Sequence, residues 1–308
     1  MTPDQVADRL RRIPSETSLA DRIALYDLAA THFRGEGMIY DIGTAAGGST
    51  CCLGAGLAAN PMDEVEKHHK ILGFDLFAGY SIHAFRNSKP VQAMIEARGK
   101  PFETDLEMFE AINAEYLDYI RPVQLNLVTG FADYARPSAL EIAHIDAAKS
   151  LDLWNAILDV IAQSVMPGHT VLVFQDFERC RLPWQWMFVA DMLQSGAADW
   201  VGQFDGGTVH LRLTNAIPQA VYDRSIGFKY TPQEARALFE FLRDWIAGDP
   251  DRVEVFRGRF DDIATCVLAY IHKEFGDVSG ARAAHAALTP KFLQSEPIYR
   301  NELDKFLA

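Results

Sequence analysis

A glycine-rich stretch at residues 38–60 carries the first side chains with recognisable chemistry. A short apolar run reaches Asp41 and is followed by Gly43, Gly47 and Gly48, after which Ala, Leu and Gly continue at helical spacing. This pattern predicts a strand, a tight turn and a helix. Glycine lets a ligand approach the main chain, and the free N–H groups at a helix N-terminus carry partial positive charge. The stretch therefore predicts a nucleotide-type pocket, with a tightly packed turn as the alternative.

Polar side chains also follow three later apolar runs. Asp75 ends one run, Asp146 ends another, and Gln175 and Asp176 end a third. In nucleotide-binding α/β folds, an acid at the end of the second strand hydrogen-bonds the ribose hydroxyls, and we expect this of Asp75, with a simple strand-end role as the alternative. Because parallel strands deliver their carboxyl ends to one edge of a sheet, Asp146 and Asp176 are predicted to lie close together.

The elements that must position these residues alternate between strand and helix patterns. Such alternation predicts right-handed crossovers and a largely parallel sheet. A third strand is predicted within residues 124–134. Residues 197–214 differ, because they predict two strands joined by a hairpin turn at Asp205, Gly206 and Gly207.

The flanking segments are predicted to be helical. Residues 1–36 form an N-terminal helical segment, and residues 37–215 form the main domain. An insertion at 78–120 is expected to lie over the carboxyl edge of the sheet and cover the substrate. Residues 216–308 form a C-terminal helical region for dimerisation or substrate capture.

Composition narrows the classes of function. The formal net charge is −13, from 42 acidic against 29 basic residues, and no basic cluster marks a phosphate-backbone footprint. We therefore expect no nucleic acid partner. No apolar run is long enough for a membrane span and the N-terminus is too polar for a secretory signal, so a cytoplasmic protein is predicted. The four cysteines have no metal-binding spacing and are expected to be reduced.

The spacing Asp-x-Gly-x-x-x-Gly at Asp41, Gly43 and Gly47 resembles motif I of class I S-adenosylmethionine-dependent methyltransferases. With the later acids and the hairpin, residues 38–214 resemble that family, nearest to the macrocin-type and catechol-type metal-dependent O-methyltransferases. The resemblance implies a Rossmann-like, seven-stranded, mostly parallel sheet with a terminal antiparallel hairpin. To this α/β sheet the chain adds N-terminal and C-terminal helices.

The resemblance also implies a set of site residues. Lys149 would be the base that takes the proton of the acceptor hydroxyl, and Asp146 would be catalytic as well as a metal ligand. A divalent cation, Mg²⁺, would be bound by Asp146, Gln175 and Asp176. Gln175 departs from the family pattern by replacing a carboxylate, so the alternative is that Lys149 only pairs with the two acids. The implied S-adenosylmethionine contacts are Asp41, Gly43, Thr44, Gly47, Asp75 and, as a candidate beside the adenine with core packing as the alternative, Phe131.

The function implied is O-methylation of a small hydroxylated substrate, a sugar or a natural product, by a homodimer. Trp184 and Trp186 are candidates for stacking on the acceptor, with packing as the alternative. A second hypothesis is a methyltransferase-like fold without catalysis that serves as a binding or assembly module. A nicotinamide-dependent oxidoreductase ranks last, because the sequence has no Gly-x-Gly-x-x-Gly fingerprint.

Overall fold

The computed structural model describes residues 2–135, 138–204, 207–254 and 256–308. Its strands are β1 (Met38–Ile42), β2 (Ile71–Asp75), β3 (Ile120–Gln124), β4 (Leu140–Ile145), β5 (Val171–Phe174), β6 (Ala198–Phe204) and β7 (Thr208–Leu213). The helices before β6 are α1 (Pro3–Arg11), α2 (Leu19–Asp27), α3 (Gly48–Ala59), α4 (Glu64–Lys67), α5 (Tyr80–Phe85), α6 (Lys89–Arg98), α7 (Asp105–Ile112), α8 (Leu127–Ala135), α9 (Leu151–Ser164) and α10 (Pro183–Gln194). Those after β7 are α11 (Gln219–Ser225), α12 (Pro232–Ala247), α13 (Pro250–Glu254), α14 (Phe260–Glu274), α15 (Val278–Ala287), α16 (Pro290–Ser295) and α17 (Pro297–Leu307).

The described strands form one seven-stranded sheet in the order β3-β2-β1-β4-β5-β7-β6. Strands β1 to β5 pair in parallel, whereas β7 runs antiparallel to both β5 and β6. This arrangement confirms the predicted fold class, including the antiparallel hairpin at one end. The predicted turn residues Asp205 and Gly206 lie outside the described residues.

Strand β1 lies inside the sheet, between β2 and β4, and is covered on both faces. Tyr40 and Ile42 pack into the apolar cluster that includes α8, α9, α10 and the C-terminal helices. Ile39 points the other way, into the cluster with α1, α2, α3 and the insertion. A strand covered on both faces has no solvent side, so its sequence is continuously apolar except at Asp41.

The predicted position of the third strand was wrong. Strand β3 lies earlier, at Ile120–Gln124, and the stretch predicted as strand is mostly the helix α8. Leu127, Phe131 and Ala135 recur every four residues and face the core, which is a helical period. The Asn126 side chain accepts a hydrogen bond from the Val128 N–H at 2.9 Å, so it satisfies a free donor at the helix start.

The C-terminal helices share the core on one face of the sheet. Trp186 is fully buried, stacks on Phe177 with ring centroids 5.0 Å apart, and approaches Phe239 of α12. Trp184 is buried as well. The two tryptophans therefore pack in the core, which was the alternative to stacking on the acceptor. No helix in the described part of the chain is both long and apolar enough to cross a bilayer.

Candidate active site

A cavity of 700 Å³ opens at the carboxyl ends of the five parallel strands. The strand order reverses between β1 and β4, which is where open α/β sheets bind their ligands. The volume is within the range of small-molecule sites. Each strand contributes to the wall through the residues that follow it, represented by Gly43, Asp75, Leu125, Asp146 and Gln175.

The glycine loop after β1 reaches the cavity in a conformation that requires glycine. Gly43 has φ +93°, and a Cβ there would lie 2.9 Å from the Ala147 main-chain nitrogen. The loop therefore packs directly on the segment after β4, and Gly43 allows both the turn and the close approach. Thr44 follows in a buried position, and within the described residues its hydroxyl has no hydrogen-bond partner.

Asp75 joins the glycine loop to the loop after β2. Its Oδ2 accepts a hydrogen bond from the Ala45 N–H at 2.9 Å, and its Oδ1 accepts one from the Phe77 N–H at 3.0 Å. Burial raises the pKa of Asp75, and the two backbone donors oppose that rise. The carboxyl group is therefore fixed in the cavity wall.

A chain of buried polar groups runs beneath the cavity from β1 to α2. The Asp41 carboxylate accepts hydrogen bonds from the hydroxyls of Ser49 and Thr50 and lies 2.7 Å from His144 Nδ1. His144 Nε2 lies 3.0 Å from Gln175 Oε1. Burial opposes a charge on His144, but the Asp41 carboxylate raises its pKa to about 9. Because each ring nitrogen faces an acceptor oxygen, this geometry favours an imidazolium that donates to both neighbours.

The raised pKa of His144 makes the stability of the fold depend on pH. The pKa of His144 in the folded protein, about 9, exceeds the ordinary 6.5. Protonated His144 therefore stabilises the fold fully below about pH 6.5, and this stabilisation is lost as pH rises through about 9. We expect the free energy of unfolding to fall by about 3 kcal/mol across this window. Urea unfolding near pH 6 and near pH 10 measures it, with His144→Asn as the control. An equal fall in the variant would contradict the assignment to His144.

Gln175 is held at both ends of its side chain. Its Oε1 accepts from His144, and its Nε2 donates to Asp21 Oδ2 of α2 at 3.3 Å. The same Asp21 oxygen accepts from the Ser18 hydroxyl at 2.8 Å in the capping box that begins α2. Gln175 therefore links the sheet to the N-terminal segment.

Lys149 lies between the two acids that the sequence predicted to meet. Its Nζ is 2.5 Å from Asp146 Oδ1 and also forms an ion pair with Asp176. The Nε of Arg179 lies 2.6 Å from the other Asp176 oxygen, Oδ1. Burial lowers the pKa of Lys149, whereas Asp146 opposes the shift. The lysine is thus a partly desolvated cation between two carboxylates.

These residues do not fit the divalent cation that the resemblance implies. The position between Asp146 and Asp176 is taken by the Lys149 ammonium, and the Gln175 oxygen already accepts from His144. Among the described residues, no three His, Cys, Asp or Glu side chains are grouped so as to hold a metal ion. The structure pairs Lys149 with both acids, and a role of Lys149 as the base stays a prediction.

Four of the predicted cofactor residues lie away from the cavity wall, and the buried Thr44 is one of them. Asp41 is fully buried beneath the loop, and Gly47 has φ +86° at the start of α3. Phe131 is fully buried in the core, where its ring centroid lies 4.9 Å from that of Phe74 and 6.2 Å from that of Tyr40. For Phe131, core packing is therefore the reading that the structure supports.

Several residues that line the cavity were not predicted from the sequence. Glu16 and Asp21 come from the N-terminal segment, Arg179 follows β5, and Arg257 comes from the turn before α14. The pattern from Ser18 to Asp21 is a recognisable helix cap, but its position against the cavity depends on tertiary packing. Arg257 has φ +51°, a left-handed conformation that the local sequence does not predict.

Comparison with known proteins gives distant structural matches. No family model and no curated protein matches the chain. CalS11, a TDP-rhamnose 3'-O-methyltransferase of calicheamicin biosynthesis, matches 69% of this chain and 95% of its own at 14% identity and TM-score 0.42. The fibrillarin/Nop5p complex matches over 59% and 74% at 11% identity and TM-score 0.32. PKMT2 from Rickettsia typhi with AdoHcy matches over 92% and 49% at 12% identity and TM-score 0.24.

The architecture of this chain is a Rossmann-like, mostly parallel sheet with an antiparallel hairpin at one end and helices on both faces. Its seven-stranded sheet, with β7 as the antiparallel strand, is the arrangement that the sequence resemblance implied.

Proposed function

We propose that this chain is an S-adenosylmethionine-dependent methyltransferase that methylates an oxygen of a small hydroxylated molecule, a sugar or a natural product. The observation that carries the proposal is the position of Lys149 between Asp146 and Asp176 in the cavity that Gly43 and Asp75 also line. One cavity thus combines a glycine loop with a lysine that would serve as the proton acceptor.

The cavity offers suitable groups for each part of the cofactor. S-adenosylmethionine supplies an electrophilic methyl group on a sulfonium sulfur. Asp75 would accept hydrogen bonds from the ribose hydroxyls, and the apolar side chains of Leu125 and Leu127 would lie against the adenine. The main chain at Gly43 would lie near the methionine part.

Lys149 would remove the proton that methylation releases. Methylation of a hydroxyl by bound S-adenosylmethionine would form a C–O bond as the sulfonium C–S bond breaks, and it would free the hydroxyl proton. The neutral Lys149 amine takes that proton, and Asp146 and Asp176 stabilise the ammonium that forms. Because burial lowers its pKa, Lys149 loses its resting proton to solvent more readily than an exposed lysine does.

The outer wall of the cavity favours a polar acceptor. Tyr80, Glu178, Arg179 and Arg257 line it and offer hydrogen-bonding or charged groups. A sugar hydroxyl suits these partners, and the CalS11 match is a sugar O-methyltransferase by name. The net charge of −13 disfavours a nucleic acid substrate.

Asp75→Asn tests the cofactor assignment. The change removes the negative charge that accepts hydrogen bonds at the cavity wall, and we expect the Kd for S-adenosylhomocysteine to rise at least about 10-fold. Calorimetric titration measures it. Asp133→Asn is the matched control, since Asp133 is exposed and lines a different cavity. Equal affinities of the Asp75→Asn variant and the wild type would refute the assignment.

A binding or assembly module without catalysis is the second candidate. Gln175 favours it, because an amide replaces one carboxylate of the family pattern. We further propose that residues 37–215 form the methyltransferase unit of a cytoplasmic homodimer, with 1–36 and 216–308 as helical additions. Binding of S-adenosylhomocysteine without turnover on any hydroxylated acceptor would favour the module.

A further inference from the structure

The space between Asp146 and Asp176 already holds a cation that belongs to the protein. Lys149 Nζ contacts Asp146 Oδ1 at 2.5 Å and pairs with Asp176, whose other oxygen lies 2.6 Å from Arg179 Nε. Two carboxylates thus face an ammonium and a guanidinium, so the formal charges of the four groups cancel. A divalent cation entering this space would meet no net negative charge and would have to displace Lys149.

The neutral ligand that could complete a metal site is also engaged. The Gln175 oxygen accepts from His144 at 3.0 Å, and Gln175 Nε2 donates to Asp21. Turning this amide toward Asp146 would leave the buried His144 without its second partner, which is costly for a desolvated donor. Asp21 is itself held by the α2 capping box.

We propose that Lys149, supported by Arg179, is a built-in counter-ion that replaces the divalent cation of this site, so that the chain binds no metal there and acts without one. The meaning of this inference for catalysis rests on the proposed function. Its test does not, because metal binding can be measured on the protein alone.

Binding of Mn²⁺, followed by electron paramagnetic resonance, is the direct test. Wild-type protein is expected to take up no Mn²⁺ at this site at millimolar concentration. Lys149→Met removes the ammonium and leaves Asp146 and Asp176 with unbalanced charge, so this variant is expected to bind one Mn²⁺ with a Kd at least about 10-fold below the highest Mn²⁺ concentration at which the wild type shows no binding. Lys149→Arg keeps the positive charge and is expected to behave like the wild type.

Two further variants assign any binding to this site. Asp176→Asn added to Lys149→Met should abolish the gained Mn²⁺ binding, and Asp133→Asn added to Lys149→Met should leave it unchanged. Circular dichroism and urea unfolding identify variants that do not fold, in which case Lys149→Gln replaces Lys149→Met. The conservative amide removes the charge and keeps a polar side chain.

Two results would overturn the proposal. One is stoichiometric Mn²⁺ binding by the wild type that Asp176→Asn removes, since the site would then be a metal site. The other is a folded Lys149→Met or Lys149→Gln protein that gains no Mn²⁺ binding. Titration of the same samples with S-adenosylhomocysteine separates the test of this inference from the test of the proposed function. Failure to bind S-adenosylhomocysteine contradicts the proposed function and leaves the Mn²⁺ result unaffected.

Discussion

Lys149→Met is expected to lower the turnover number by about 10²–10⁴-fold while the affinity for S-adenosylhomocysteine stays within about threefold of the wild type. The reason is that the substitution removes the proton acceptor while it leaves the glycine loop and Asp75 in place. A screen of hydroxylated sugars and natural products with methyl-labelled cofactor supplies the acceptor. Lys89→Met is the control, because Lys89 is exposed on α6. Normal turnover by Lys149→Met would remove Lys149 as the base.

Lys149→Arg separates the two possible contributions of the lysine. Arginine keeps a positive charge between Asp146 and Asp176 but does not deprotonate in proteins, so turnover should be lost as fully as in Lys149→Met. The turnover number of the wild type should rise with pH, because the neutral amine of Lys149 is the active form. Since burial lowers the pKa of Lys149, this rise should occur at a lower pH than the pKa of an ordinary lysine. Activity retained by Lys149→Arg would mean that charge alone suffices.

Gly43→Ala is expected to weaken S-adenosylhomocysteine binding by at least about 100-fold. The new Cβ would lie 2.9 Å from the Ala147 nitrogen, which is backbone and cannot move aside cheaply, and φ at this position is +93°. The loop must therefore shift, and the cavity wall shifts with it. The loss of stability should be about 1–3 kcal/mol.

Gly99→Ala is the matched control for Gly43→Ala. Gly99 also has a positive φ, +72°, but a Cβ there meets nothing within 4 Å. The control therefore carries the cost of a left-handed alanine, about 1 kcal/mol, without the collision. Calorimetric titration and urea unfolding of both variants separate strain from collision. Equal affinity in Gly43→Ala and Gly99→Ala would contradict the assignment of the glycine loop.

The fold was predictable because it depends on local periods and on general rules of connection. The continuous apolar runs around Tyr40 and Ile145 and the helical periods between them indicate a parallel sheet, and they hold in the structure. The third strand was misplaced because apolar residues at short spacing, such as Leu125 and Leu127, fit a strand and a helix start equally well. Asn126 decides between them by capping α8.

The site was predictable only in part, because it depends on contacts between distant residues. Strand ends bring Asp146 and Asp176 to one edge whatever the loops do. That Gln175 bonds Asp21, 154 positions away, and that Arg257 enters the cavity from the C-terminal helices, follow from packing that no local pattern encodes. The same holds for His144, whose charge depends on its neighbours across the sheet.

The claim that the cavity at the sheet edge binds the cofactor has one most direct test. It is titration of the wild-type protein with S-adenosylhomocysteine in the presence of EDTA, with NAD as the control ligand. The proposed function predicts one-site binding at micromolar concentration that EDTA does not change, and no binding of NAD. Absence of S-adenosylhomocysteine binding, or tighter binding of NAD, would contradict the assignment of this chain as a methyltransferase.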